Sequence, residues 1–159
     1  MSWKSNLLKR VMLALFFFLS SCSQKCTDWQ YQETVTCCHY YNSGRLIHFP
    51  QNHFRGVSLE ISRGHTGLRA YVNVYSLSLP KEDEDPTKTM VTISSEDGSF
   101  DVIAERLEGG QRLLLPLDAT NAIIKSLLEC KTVCISTGRF KSEISPYGFS
   151  KYYHQLMGI

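Results

Sequence analysis

The chain carries six cysteines and five histidines among its 159 residues. From such residues a metal centre, a thiol nucleophile or a covalent staple is built. Structural zinc sites draw on close cysteine pairs spaced C-x₂₋₄-C and completed by a second pair or by histidines. Within the body of the chain Cys130-x₃-Cys134 has that spacing, and Cys26, Cys37, Cys38 and His39 supply further donors, but no matching His pair completes a set. A thiol nucleophile needs a base held within reach, and His39, His48, His53 and His65 stand at no spacing that identifies one. G-x-S-x-G, H-E-x-x-H and the glycine-rich phosphate loop are absent. Clustered acids occur in KEDEDPTK (81–88), which lacks the spaced oxygens and internal glycine of a calcium loop. It reads as a solvated loop tip. No catalytic residue, metal ligand or cofactor is assigned, and a non-enzymatic protein is the expectation.

Cys22 is set apart by what precedes it. Lys4, Lys9 and Arg10 lie in the first ten residues, with no acid before Asp28, and Val11 to Leu19 (VMLALFFFL) is apolar throughout. As a helix this run is about 14 Å long, against about 30 Å for the hydrocarbon core of a bilayer. A cationic start, a short apolar run and small residues at its end form the pattern of a secretory signal peptide, residues 1–21. Leu19-Ser20-Ser21-Cys22 resembles the lipobox of bacterial lipoproteins. That resemblance implies diacylglyceryl transfer to the Cys22 thiol, cleavage after Ser21, and N-acylation (palmitate) of the new amino group. Cys22 is thus the expected lipidation site, and two or three acyl chains hold a protein where one holds only marginally. Ser23, in place of an aspartate retention signal, points to the outer membrane of a two-membrane organism.

Removing the leader leaves 138 residues with 14 basic and 15 acidic side chains, one domain by length. A balance of −1 excludes a basic nucleic-acid footprint, so no nucleic-acid partner is expected. Export places the remaining cysteines where disulfides persist. Cys26, Cys37, Cys38, Cys130 and Cys134 are the candidate disulfide cysteines, and five being odd, one is free or pairs between molecules. The simplest scheme joins Cys26 to one of Cys37 and Cys38. Cys130 and Cys134 join each other, or one of them staples to the remaining member of the 37–38 pair. Cys37 and Cys38, as strand neighbours, are expected to face opposite sides.

Residues 22–30 read as a polar tether, and 31–159 as a single β-rich domain. GVSLEIS (56–62) and GLRAYVNVYSLSL (67–79) alternate around a turn at Arg63–Thr66, and KTMVTIS (88–94) and SFDVIAERL (99–107) flank the Asp97-Gly98 turn signal. YQETVTCCHYY and RLIHF read as one or two further strands, and KTVCIST and RFKSEIS pair around Gly138. Asp118 is the expected cap of a helix over about 119–129 that buries Ile123, Ile124, Leu127 and Leu128. A second helix, about 148–157, buries Phe149, Tyr152, Tyr153 and Leu156, with His154 on its solvated side. The fold class is mainly β, an antiparallel β-sandwich or open barrel with two short helices.

LLLPLDATNAIIKSLLECKTVCIS, continuing to YGFSKYYHQL, resembles the end of the invasion-associated locus B family: a strand and Leu-Pro-Leu, a short helix, strands, then Gly-Phe and a tyrosine-bearing helix. The resemblance covers about a third of the chain. It implies an exported β-rich domain connected with entry into host cells, and carries no catalytic motif. The expected function is a lipid-anchored bacterial envelope protein presenting a β-domain for binding, envelope assembly or host contact. Its partners would be the membrane through Cys22 and a protein at the envelope surface. Tyr40, Tyr41, Phe54, Tyr71 and Tyr75, off the core stripes, are the candidate contact residues. The alternative is an enzyme of unrecognised type acting on an envelope polymer.

Overall fold

In the computed structural model, which describes residues 28–75, 79, 81 and 85–158, alternation becomes one curled antiparallel sheet. Its strands are β1 (Trp29–Thr34), β2 (Ser43–His48), β3 (Ser58–Gly64), β4 (Gly67–Asn73), β5 (Lys88–Ser95), β6 (Gly98–Arg106), β7 (Arg112–Leu114), β8 (Val133–Thr137) and β9 (Phe140–Ile144). The spatial order is β1-β2-β3-β4-β7-β6-β5-β8-β9. The expected mainly β architecture with two helices is the one observed. Helices α1 (Leu117–Leu128) and α2 (Phe149–Met157) pack against the inner face, α1 over β4, β5 and β8 and α2 over β1 to β3.

The core follows from period-two patterning. Val57, Leu59 and Ile61 face inward and are fully buried, as are Leu46, Ala70, Val72, Val91, Ala104 and Ile135 from neighbouring strands. Ile123, Ile124 and Leu127 of α1 and Phe149 and Leu156 of α2 fill the space between. Leu128, expected in the α1 stripe, is 37 % exposed, being the last residue of the helix. Tyr152 and Tyr153 pack at the core's margin, and His154 is exposed as expected. Pro116 takes the N-cap position expected of Asp118. Its preset φ suits a helix start, and Asp118 instead places its charge in the first turn, where the helix dipole favours it.

At the other end α1 closes with a Schellman pair, Lys131 N–H to Ser126 O (2.9 Å) and Cys130 N–H to Leu127 O (3.2 Å). Cys130 adopts φ 61° to do so, a conformation that glycine usually supplies. Lys131 then bridges Asp97 (2.6 Å) and Glu129 (2.7 Å), tying the β5–β6 turn to the end of α1. These two carboxylates raise its pKa above the ordinary lysine value.

The domain begins earlier than its composition suggested. Trp29 is 1 % exposed and starts β1, two residues inside the expected tether. A lone tryptophan among polar residues carries no periodicity by which to place it. Ladder hydrogen bonds do not join β1 to β9, but the seam between them is crossed in other ways. Trp29 Nε1–H donates to Ser145 O (2.7 Å), Ser145 N–H to His48 Nε2 (3.2 Å), Lys141 N–H to Arg55 O (2.9 Å), and Val57 N–H to Ser142 Oγ (2.8 Å). The sheet is an open barrel drawn shut by side chains and one loop.

Candidate functional site

Of the residues singled out from the sequence, Cys22 and Cys26 lie outside the described residues, as do positions 82–84 of the acidic loop. Cys37 and Cys38 are not strand neighbours. β1 ends at Thr34, and both cysteines are exposed in a bend that leads into a 3₁₀ turn, His39–Tyr41. Asn42 stabilises that bend by accepting at Oδ1 from Thr36 N–H (2.9 Å), and Thr36 Oγ1 donates to Cys38 O (2.6 Å). These local hydrogen bonds outcompete continuation of the ladder. Cys130 is exposed after α1, and Cys134 is half-buried on β8, opposite Glu143. All four are free thiols. Among the described residues no three His, Cys, Asp or Glu side chains gather as a metal set.

Two of the concave regions among the described residues hold charged or titratable side chains in arrangements that could do chemistry. The first opens beside the seam and is lined by Asp28, Gln30, His48, Phe49, Gln51, Thr132, Glu143 and Ser145, enclosing about 340 Å³. His48 is 3 % exposed. Its Nε2 accepts from Ser145 N–H, which assigns the proton of the neutral ring to Nδ1, and Nδ1 is buried without a partner. Burial lowers its pKa from the usual value, opposed by the negative charge of Asp28. The ring also lies edge-on to Trp29, centroids 5.2 Å apart. His48 is thus a wedge in the seam, neutral near pH 7.

The second, of about 400 Å³, lies on the outer face of β1 to β4. Register builds it: Gln32 pairs with Arg45, Arg45 with Ser62, and Ser62 with Arg69, so these four side chains form one row across the sheet. One row along, Glu60 pairs with Tyr71. Arg112 closes that side, with its guanidinium 4.0 Å from the Tyr71 ring centroid and Nη2 3.0 Å from Glu60 Oε1. The floor is low because Ser43, Ser62, Gly64 and Gly67 carry little or no side chain. Gly67 also supplies φ 91° for the tight β3–β4 turn.

The guanidiniums here differ in what they are committed to. Arg112 is neutralised by Glu60. Arg63, which faces inward, donates from Nη1 to the carbonyls of Leu156 and Met157 at the end of α2, where a cation is favoured. Among the described residues Arg45 is held through Nε–H to Gln32 Oε1 (2.8 Å), and neither of its Nη groups has a partner there. Arg69 is exposed. Among the described residues neither Arg45 nor Arg69 has a carboxylate partner.

Beyond the rim of this groove stands an aromatic cluster. Tyr40 and Tyr41 pack edge-on at 5.2 Å, and His65 from the β3–β4 turn sits 5.4 Å from Tyr40 and 6.0 Å from Tyr41. The tyrosines are 64 % and 59 % exposed. Phe54 and Tyr75, also expected as contact residues, are exposed elsewhere, and Tyr75 donates to Ser58 (3.1 Å). Tyr71 is the flat wall beneath Arg112. The arginine row was not legible beforehand: Arg45 and Arg69 are 24 residues apart, and only the register of three strands makes them neighbours. No family model matches the chain, and no curated protein and no solved structure does either.

Proposed function

We propose that the chain is a lipid-anchored protein of the bacterial cell envelope, acylated at Cys22, whose β-domain binds a ligand or partner without transforming it. The observation that carries this reading is the polarity of β1. Trp29, seven residues after Cys22, starts the strand at the seam. Thr34, at its far end, opens into the aromatic turn and lines the groove. Five residues of strand place the two about 16 Å apart. The segment from Cys22 thus enters the domain at the end of β1 opposite the groove and the exposed tyrosines, and exposed aromatic rings are the side chains that concentrate at interfaces. The Cys22→Ala variant tests this: it should lose incorporation of labelled palmitate and leave the membrane fraction. Unchanged membrane association without label would contradict it.

The alternative, an enzyme acting on an envelope polymer, is favoured by one observation, His48 beside Asp28 and Glu143 at the seam. Against it, the acceptor nitrogen of that ring is already occupied by the Ser145 amide, which leaves it no free lone pair with which to act as a base.

A further inference from the structure

We propose that the groove across β1 to β4 is a binding site for an anionic saccharide, with Arg45 and Arg69 taking its carboxylate or phosphate group. The inference deepens the reading of the domain as a binder, and rests on it. Two strand spacings separate the Cα atoms of Arg45 and Arg69, about 10 Å. Their side chains are long enough to meet above Ser62. A guanidinium offers a planar fork of donors suited to the paired oxygens of an oxyanion. Both forks are without a carboxylate, whereas the acid of the same groove, Glu60, is spent on Arg112. The groove therefore holds uncompensated positive charge in a domain whose overall balance is slightly negative.

The remainder of the lining argues for a sugar as the carrier of that charge. Thr34, Ser43, Ser62 and Thr66 present hydroxyl groups around the two arginines, and these both donate to and accept from the hydroxyls of a saccharide. The volume, about 400 Å³, exceeds what a bare phosphate needs and lies in the range of small-molecule sites. His65, adjoining Thr66, brings the rings of Tyr40 and Tyr41 to the rim, where flat faces can cover a further sugar unit. A nucleic acid would need a longer basic track than two free guanidiniums provide.

The test is calorimetric titration of the full chain at low salt with glucose 6-phosphate, glucuronate, glucose and inorganic phosphate. We expect saturable binding of at least one of the two charged sugars, with Kd at or below about 1 mM, and none of glucose. Arg45→Gln and Arg69→Gln should each weaken it at least about tenfold, and raising the salt to about 0.5 M should weaken it similarly. Lys125→Gln, on the far side of α1, should leave it unchanged. Absence of binding by the folded wild-type chain would overturn the proposal, as would unaltered affinity in both arginine variants. Inorganic phosphate binding as tightly as the sugars would overturn the saccharide assignment. None of these results bears on acylation at Cys22, so failure here and failure of the anchored reading are separately visible.

Discussion

The indole Nε1–H of Trp29 donates a 2.7 Å hydrogen bond to the carbonyl of Ser145, 116 residues further along the chain. This single bond joins the first strand to the segment that follows the last. Beneath it the indole packs on Phe149 (centroids 4.8 Å) and against His48. The closure of the barrel and the seating of α2 thus meet in one side chain.

Trp29→Ala should cost about 3 to 5 kcal/mol, the range for deleting a large buried aromatic. Trp29→Phe, which keeps an aromatic ring but strands the Ser145 carbonyl, should cost about 1 to 3 kcal/mol. Urea unfolding followed by circular dichroism measures both. An effect under about 0.5 kcal/mol for the alanine variant would mean that the seam does not hold the fold.

His48 sets a pH dependence. Burial lowers its folded pKa below the usual histidine value of about 6.5, so the unfolded chain takes up the proton first. Its contribution to stability is complete above pH 6.5 and declines as the pH falls below it, with a slope of at most about 1.4 kcal/mol per pH unit. The urea midpoint should therefore drop between pH 7.5 and pH 5, and His48→Gln should remove most of that drop. An identical pH profile in the variant would assign the effect to other groups.

Cys130 occupies a left-handed position, φ 61°, that favours glycine. In the presence of reductant Cys130→Gly should stabilise the protein by about 0.5 to 1 kcal/mol. A loss of stability under the same conditions would show that the thiol makes packing interactions that outweigh the relief.

Gly56 is constrained by space and not by φ. A Cβ there would collide with the Pro50 side chain and with the Asn52 carbonyl, which accepts from Gly56 N–H at 2.7 Å. Gly56→Ala should cost about 1 to 3 kcal/mol and loosen the loop that carries Arg55 to β9, read as faster amide exchange at Lys141.

The hairpins at 58–73 and 88–106 and the stripes of both helices were readable because each is a local rule: alternation, an Asp-Gly turn, apolar spacing along a helix. What escaped the sequence depends on elements far apart in it. Trp29 reads as part of a polar tether until Ser145 and Phe149 are brought beside it. Cys37 and Cys38 read as strand residues because the Thr36–Asn42 hydrogen bonds that bend the chain leave no periodic trace. Arg45 and Arg69 become a site only through strand register, which the turns and the buried face fix together.

The anchored reading is tested most directly by the intact mass of the native protein extracted from membranes. It predicts the mass of the chain from Cys22 to Ile159 plus two or three acyl chains. A mass that retains residues 1–21 and carries no acyl chain would contradict it.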